Sequence, residues 1–339
     1  MIKLDFFNNA FDLLNPEIQW QKSILDFLEE WRSDNEFVIA HTSGSTGQPK
    51  AISLPKSAMR LSARLTGEFF GLKNGDKALL GMPVNFIAGK MMLVRAAELK
   101  LQLFCIGPKS KIDFNEFPAL DFVPLTPMQL ENSFDSIDSI KTLLIGGAPL
   151  SDALRSRLLK KNVNAYESYG MTETITHIGL KKIAEDFFET LPQVKISKDS
   201  RNCLTIQTPY FEEEIITNDL VEIADEKHFK WLGRYDNIIN SGGIKLIPEQ
   251  IEEKLKAHIK QTFIVAGKPD DLLGEKLILI IEDPKSAAIP GRSTKGLENQ
   301  LPFLVLDKYE IPKEMYFIKE FPRTESGKIK RKETANLLV

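Results

Sequence analysis

Thr42-Ser43-Gly44-Ser45-Thr46-Gly47-Gln48-Pro49-Lys50 gathers hydroxyls, two glycines and a lysine directly after the strand-like run Phe37-Val38-Ile39-Ala40. Glycine lets backbone N–H groups approach an oxyanion, hydroxyls add donors and lysine adds a point charge, so this composition suits phosphate. It is not a Walker A loop, because the second glycine comes too early and Pro49 stands before the lysine. Taken alone, such a loop is more often a flexible turn, and its surroundings must decide. Upstream, the chain reads as helical, with Ile24, Leu25, Phe27, Leu28 and Trp31 on a 3.6-residue period. Downstream, Ala78-Leu79-Leu80, Leu101 to Ile106 and Thr142 to Ile145 alternate with helical stretches such as Leu150 to Lys160. That alternation predicts a layered α/β fold, with ligands at the loops that follow the strands.

From Ser197 to Trp231 strand-like segments succeed one another without a helical period, which predicts a small β unit closing a large α/β domain. Beyond Gly233-Arg234-Tyr235-Asp236 lies an amphipathic helix, Pro248 to Ile259, with Ile251, Leu255 and Ile259 on one face. The expected division is therefore a large N-terminal domain, 1–235, and a small mobile α+β domain, 236–339. Pro284 to Lys295, rich in Pro, Ser, Ala and Gly, reads as an exposed loop.

Composition narrows the function. The 339 residues are 42% hydrophobic and 27% charged, enough for a sizeable core. A formal net charge of -3 gives no electrostatic reason to expect nucleic acid or an anionic membrane as partner. Cys105 and Cys203, far apart and without nearby histidine pairs, support neither a disulfide framework nor a zinc site. The N-terminal residues lack a signal-peptide core and no run is long and apolar enough to span a membrane, so a cytoplasmic protein is expected.

Further stations lie along the chain. Gly146-Gly147-Ala148-Pro149 ends a strand, and its lack of bulk suits a flat ring against the backbone. Tyr169-Gly170-Met171-Thr172-Glu173-Thr174 supplies a hydroxyl and a carboxylate. Pro322 to Arg331 contains a glycine-flanked lysine, Lys328. Together with the loop at 42–50, these strings resemble, in order, the signatures of the adenylate-forming superfamily, which includes acyl-CoA synthetases, peptide-synthetase adenylation domains and firefly luciferase. His41 stands where that family usually shows an aromatic residue. Relatives also carry a longer stretch before the phosphate loop, so part of the large domain's sheet is expected to be curtailed.

The resemblance implies an enzyme that uses ATP and Mg2+ to convert a small carboxylic acid to its acyl-adenylate, then passes the acyl group to a thiol, that of coenzyme A. It implies that Thr42, Ser43, Gly44, Ser45, Thr46, Gly47 and Lys50 hold phosphate. It puts Gly146, Gly147, Ala148, Tyr169 and Gly170 around the nucleotide, Thr172 at the α-phosphate and Glu173 at the metal. Asp219 and Arg234 then lie at the ribose, although Thr217-Asn218-Asp219 has Asn where relatives have Gly; a left-handed turn is expected to survive there. Asp236 matches the hinge residue, and Gly242 and Gly243 the thiol tunnel, with Lys245 where arginine is usual. Met82 to Lys90 matches the acyl-pocket wall, which brings in Phe86, in a histidine's place, and Gly89.

In texture the chain is also similar to o-succinylbenzoate-CoA ligases of menaquinone biosynthesis, whose substrate has a second, unreacting carboxylate. A cation must meet that group. Arg95 is the first candidate and Lys90 the second, against the ordinary expectation that helical Lys and Arg are solvated. Other acyl- or aryl-CoA synthetases, carrier-protein-loading enzymes and a catalytically silent nucleotide-binding protein of the same fold remain as alternatives.

Lys328 yields a direct prediction, because a carboxylate approaching an anionic α-phosphate needs a cation bridging both. Lys328→Ala should lower adenylation by about 100- to 1,000-fold while leaving thioester formation from supplied acyl-adenylate largely intact. Single-turnover assays of each half-reaction check this, and equal loss of both contradicts the role.

Overall fold

The computed structural model describes residues 1–41, 51–284, 289–294, 302–324 and 329–338. The first part of the chain supplies β1 (Ile2–Asp5), β2 (Ala10–Phe11), α1 (Gln19–Arg32), β3 (Phe37–His41), β4 (Ala51–Pro55), α2 (Lys56–Phe70), β5 (Lys77–Leu80), α3 (Ile87–Glu98) and β6 (Gln102–Cys105). Then come β7 (Leu120–Leu125), α4 (Pro127–Ser133), β8 (Ile140–Ile145), α5 (Asp152–Leu158) and β9 (Asn164–Gly170). The helical expectation upstream of Phe37 holds for α1, which buries Ile24, Phe27 and Trp31, but not for the first residues. Those form β1, which runs antiparallel to β6, and β2 at the sheet's edge.

Strands β6, β5, β7, β8 and β9 are parallel neighbours, and their side chains alternate between two cores. Ala78, Leu80, Leu103, Cys105, Phe122, Leu144 and Tyr166 face one core, shared with α2 and α3. Leu79, Phe104, Val123, Leu143, Ile145 and Ala165 face the other, shared with α4 and α5. The two-residue period of a strand thus buries both faces, as expected of parallel strands covered by helices.

The same sheet continues through β10 (His177–Lys182), β11 (Phe188–Thr190), β12 (Lys195–Lys198), β13 (Cys203–Gln207), β14 (Ile215–Ile223) and β15 (His228–Arg234). The β unit foreseen after Ser197 is an antiparallel extension of the main sheet, joined where β11 pairs with β15, and among the described residues the whole has 13 strands. Thr217-Asn218-Asp219 corrects one expectation: it is extended strand within β14, and Asn218 is not among the residues at positive φ. No left-handed turn is needed there.

β3 and β4 form a separate hairpin paired out to His41 and Ala51. The residues between, including Thr42, Ser43, Gly44, Ser45, Thr46, Gly47 and Lys50, lie outside the described residues, as does Lys328.

After a single 3-10 turn at Tyr235–Asn237 a second sheet begins, of six strands among the described residues. It contains β16 (Ile239–Ser241), β17 (Ile244–Leu246), β18 (Phe263–Asp270), β19 (Gly274–Glu282), β20 (Ile289–Ser293) and β21 (Glu314–Ile318), with helices α6 (Pro248–Leu255) and α7 (Arg331–Asn336). β20 overturns part of the loop expected over Pro284 to Lys295, since Ile289–Ser293 pairs with β21. Pairing with an existing strand outweighed a turn-rich local composition. Helix α6 starts on a proline at its first turn and buries Ile251 and Leu255, the face read from the sequence.

Arg331 ties α7 to this unit. Its guanidinium binds both oxygens of Glu252 on α6, one at 2.9 Å, and donates to the carbonyl of Val265. Glu252→Ala would leave that largely buried cation short of its fork partner, at a cost of about 2 kcal/mol or more. Urea denaturation should show this loss, with Glu252→Gln less affected; a wild-type midpoint for Glu252→Ala would contradict it.

Candidate functional site

Because both faces of β5 to β9 are covered, polar chemistry collects at the carboxyl ends of these strands. The turn after β8 begins at Gly146, where a Cβ would stand 2.4 Å from Ser168 Oγ, and passes through Gly147 at φ 89°. Both positions need glycine, the first for space and the second for backbone. Beside it, β9 ends at Gly170, where a Cβ would meet Thr176 O at 2.4 Å and His177 Cα at 2.5 Å.

The segment after Gly170 is held by Thr174. Its hydroxyl lies 2.7 Å from Thr176 O and 3.0 Å from Met171 O, and Met171 N donates to it at 2.9 Å. Tyr210 donates from its hydroxyl to Thr174 O at 3.0 Å, and Ile175 takes φ 66°, a strained value for a β-branched residue. This tight tie leaves Thr172 half-buried and Glu173 exposed.

Asp219 is the best-organised carboxylate of the site and is 6% exposed. Tyr169 donates its hydroxyl to Oδ2 at 2.6 Å, Trp231 Nε1 donates to Oδ1 at 3.2 Å, and Arg234 Nε is 3.6 Å from Oδ1. Burial, and then the Asp219 charge, pushes the Tyr169 hydroxyl up, so it stays a donor. Tyr169, Asp219 and Arg234, chosen from separate motifs, thus meet. Trp231 was not foreseen. Residues 231 and 234 have opposite parity on a regular strand, but a register shift after Asp219↔Arg234 and Leu220↔Gly233 leaves Leu232 unpaired before Val221↔Trp231. That bulge lets both side chains reach one carboxylate.

Asp236, in the 3-10 turn, accepts from Asn218 Nδ2 at 3.0 Å and lies 3.7 Å from Arg234 Nη2. Gly242 and Gly243 form the two-residue tip between β16 and β17, both at positive φ, which explains the glycine pair there.

At the start of α3, Gly89 is required by packing, since a Cβ would fall 2.3 Å from Pro83 O. Phe86 stands 39% exposed just before α3. Lys90 is engaged by Glu30 at 3.3 Å and lies over the Phe27 ring. Arg95 is different: it is 2% exposed, on a helix whose residues from Met91 to Ala96 are all buried. Among the described residues its Nη1 donates only to Met92 Sδ at 3.1 Å, Nε and Nη2 have no partner, and its Cζ lies 5.6 Å from the Phe122 ring centre. Burial pulls its pKa down to about 10, so it remains charged at neutral pH.

Next to Gly170 in the β9–β10 register sits His177, also buried. Thr66 donates its hydroxyl hydrogen to Ser62 O at 3.0 Å, so at 3.1 Å it must accept from His177 Nε2, while Nδ1 faces the Thr176 hydroxyl at 3.3 Å. Burial, and then the Arg95 charge, holds the imidazole neutral. Neither Thr66 nor His177 belongs to a string that could be read in advance, but the unbroken apolar run around Arg95 could have signalled its burial.

The strand-end turns, the clasped carboxylate and the buried Arg95 guanidinium fit a site that takes a nucleotide and an anionic second ligand. Comparison with known proteins agrees. The model of a family described as AMP-binding enzyme matches residues 8–195. A 2-succinylbenzoate--CoA ligase of Bacillus cytotoxicus is 27% identical, over 91% of this chain and 72% of its own. The crystal structure of an acyl-CoA synthetase (AMP-forming)/AMP-acid ligase II-like protein from Dyadobacter fermentans is 34% identical with TM-score 0.64, over 100% of both chains. The O-succinylbenzoate coenzyme A synthetase of Bacillus subtilis, in complex with ATP and magnesium ion, shares the fold at 20% identity and TM-score 0.72, over 87% of this chain and 69% of that one.

An unpartnered buried cation lowers stability until a ligand meets it. Arg95→Met should therefore raise the stability of the ligand-free protein, by about 1–4 kcal/mol. Thermal and urea denaturation without ligands check this; a destabilised variant would mean that the guanidinium is a structural tie.

Proposed function

The chain belongs to the AMP-binding enzyme family, and from that premise we propose that it activates o-succinylbenzoate with ATP and transfers the acyl group to coenzyme A. At the coarser level it is an AMP-forming acyl-CoA synthetase. The observation that carries the finer proposal is Arg95, charged, buried and without a carboxylate partner among the described residues. A substrate with one carboxylate to react and a second to anchor supplies what that guanidinium lacks. Lys90, already neutralised by Glu30, is the weaker anchor.

In this proposal adenine packs on the Gly146-Gly147-Ala148 turn and beside Tyr169-Gly170, and Asp219 accepts from the ribose hydroxyls. Tyr169 and Trp231 support that role, since they fix the carboxylate before nucleotide arrives. Arg234 lies beside the same carboxylate. The loop Thr42 to Lys50 cradles the phosphates and Thr172 meets the α-phosphate. A carboxylate oxygen of the acid attacks the α-phosphorus, the bond to the β-phosphate oxygen breaks and pyrophosphate leaves, with Lys328 bridging the approaching anions. A thiol sulfur then attacks the acyl carbon, and AMP departs.

Glu173 fits Mg2+, being one exposed carboxylate with no cluster of three or more potential His, Cys, Asp or Glu ligands among the described residues. Glu173 would supply a carboxylate oxygen to the ion, which when bound would neutralise charge on the leaving pyrophosphate.

We further propose the division 1–235 and 236–339, with rotation about Asp236 exchanging Lys328 for the Gly242-Gly243 tip between the two half-reactions. Supporting it, β15 ends at Arg234 and β16 starts at Ile239. No helix among the described residues is long and apolar enough to cross a membrane.

The substrate is tested at Arg95. Truncating one partner of a buried charge pair costs about 2–5 kcal/mol, so Arg95→Ala should lower kcat/KM for o-succinylbenzoate by roughly 30-fold or more. An analogue lacking the unreacting carboxylate should be a poor substrate for wild type and lose much less on mutation. Pyrophosphate release with both acids and both proteins decides. A wild-type preference for the monoacid, or equal losses, would remove the diacid assignment.

A further inference from the structure

Asn218, which replaces the usual glycine of this motif, carries a contact that glycine could not make. Its Nδ2 donates to Asp236 Oδ2 at 3.0 Å, while its Oδ1 accepts from Arg201 Nη1 at 2.7 Å. Arg201 is itself fixed. Its Nε donates to Asp199 Oδ2 at 2.7 Å and its Nη2 to Thr217 O at 3.0 Å. An amide whose oxygen faces a guanidinium must turn its NH2 the other way, so Arg201 dictates that Asn218 offers donors to Asp236. The Arg201 guanidinium also lies 5.2 Å from the centre of the Tyr235 ring. Two neighbouring residues of the segment joining the sheets are thus gripped from one anchor on the large sheet, Tyr235 directly and Asp236 through Asn218.

We propose that Arg201 and Asn218 are positioning residues that hold the 235–237 segment in its present rotation, and so set the balance between the two half-reactions. This rests on Asp236 being the hinge. The groups are half-exposed, and each bond is weak against the stability of the fold. A rotation poised between two arrangements is another matter, since its populations shift several-fold when a single such bond is lost from one of them. The clasp touches neither Asp219 carboxylate oxygen, which have their own donors in Tyr169 and Trp231.

The test uses Asn218→Gly in the full-length chain, with Arg201→Lys as a second variant that keeps the charge but loses the fork. Hydrogen exchange of the backbone amides of 235–238 is measured beside the separate rates of pyrophosphate-ATP exchange and of thioester formation from supplied acyl-adenylate. Asn218→Gly should speed exchange in that segment by about threefold or more and change the ratio of the two rates by a similar factor. Arg201→Lys should move both in the same direction. Asp236→Pro separates the two claims. If it shifts the rate ratio while Asn218→Gly leaves ratio and exchange at wild-type values, the clasp is overturned and the hinge stands; if neither variant shifts the ratio, both fall.

Discussion

The parallel strands β5 to β9 have no free face. Helices α2 and α3 cover one side and α4 and α5 the other, so every side chain that leaves those strands sideways must be apolar or satisfied within a core. Only the strand ends remain for polar chemistry. The glycines at 146, 147 and 170 are consequences of that crowding: turns that emerge between close-packed layers have no space for a Cβ at 146 and 170, and the turn after β8 needs positive φ at 147. The antiparallel extension then folds Asp219 and Arg234 up to Tyr169 at the end of β9. One packing constraint therefore locates the site and brings together residues fifty positions apart in the chain.

Arg95 is where this order is broken. Helix α3 is buried from Met91 to Ala96, yet it carries a guanidinium whose only hydrogen bond among the described residues is to a thioether sulfur. Its field also helps keep His177 neutral, and Thr66, whose hydroxyl hydrogen is committed to Ser62 O, fixes the Nε2 of that imidazole as the donor. Stability given up in a core and not recovered by protein contacts is most simply recovered by ligand. Under the proposed function, substrate selection falls to the packing around Arg95, between α3 and β7.

Much of this was legible in the residues. The alternation of apolar runs and helical periods foretold β5, β6, β8 and α5, and the family strings named Tyr169, Asp219 and Arg234 before geometry joined them. What escaped did so for identifiable reasons. Trp231 needed a bulge that no side-chain pattern encodes. β20 was hidden by proline and glycine in a segment whose partner strand β21 lies some twenty residues on. Asn218 suggested a turn residue because the motif is usually glycine there, whereas its side chain bridges Arg201 and Asp236 from an extended strand.

The central claim is that this chain converts a carboxylic acid to its adenylate, with a second carboxylate held at Arg95. Isotope exchange between pyrophosphate and ATP, followed with the wild-type protein across a panel of mono- and dicarboxylic acids, measures that chemistry without the thiol step. The account predicts acid-dependent exchange, strongest with o-succinylbenzoate and much weaker with aromatic monoacids. Nucleotide binding with no exchange for any acid would contradict it, and would make the protein a silent member of its fold.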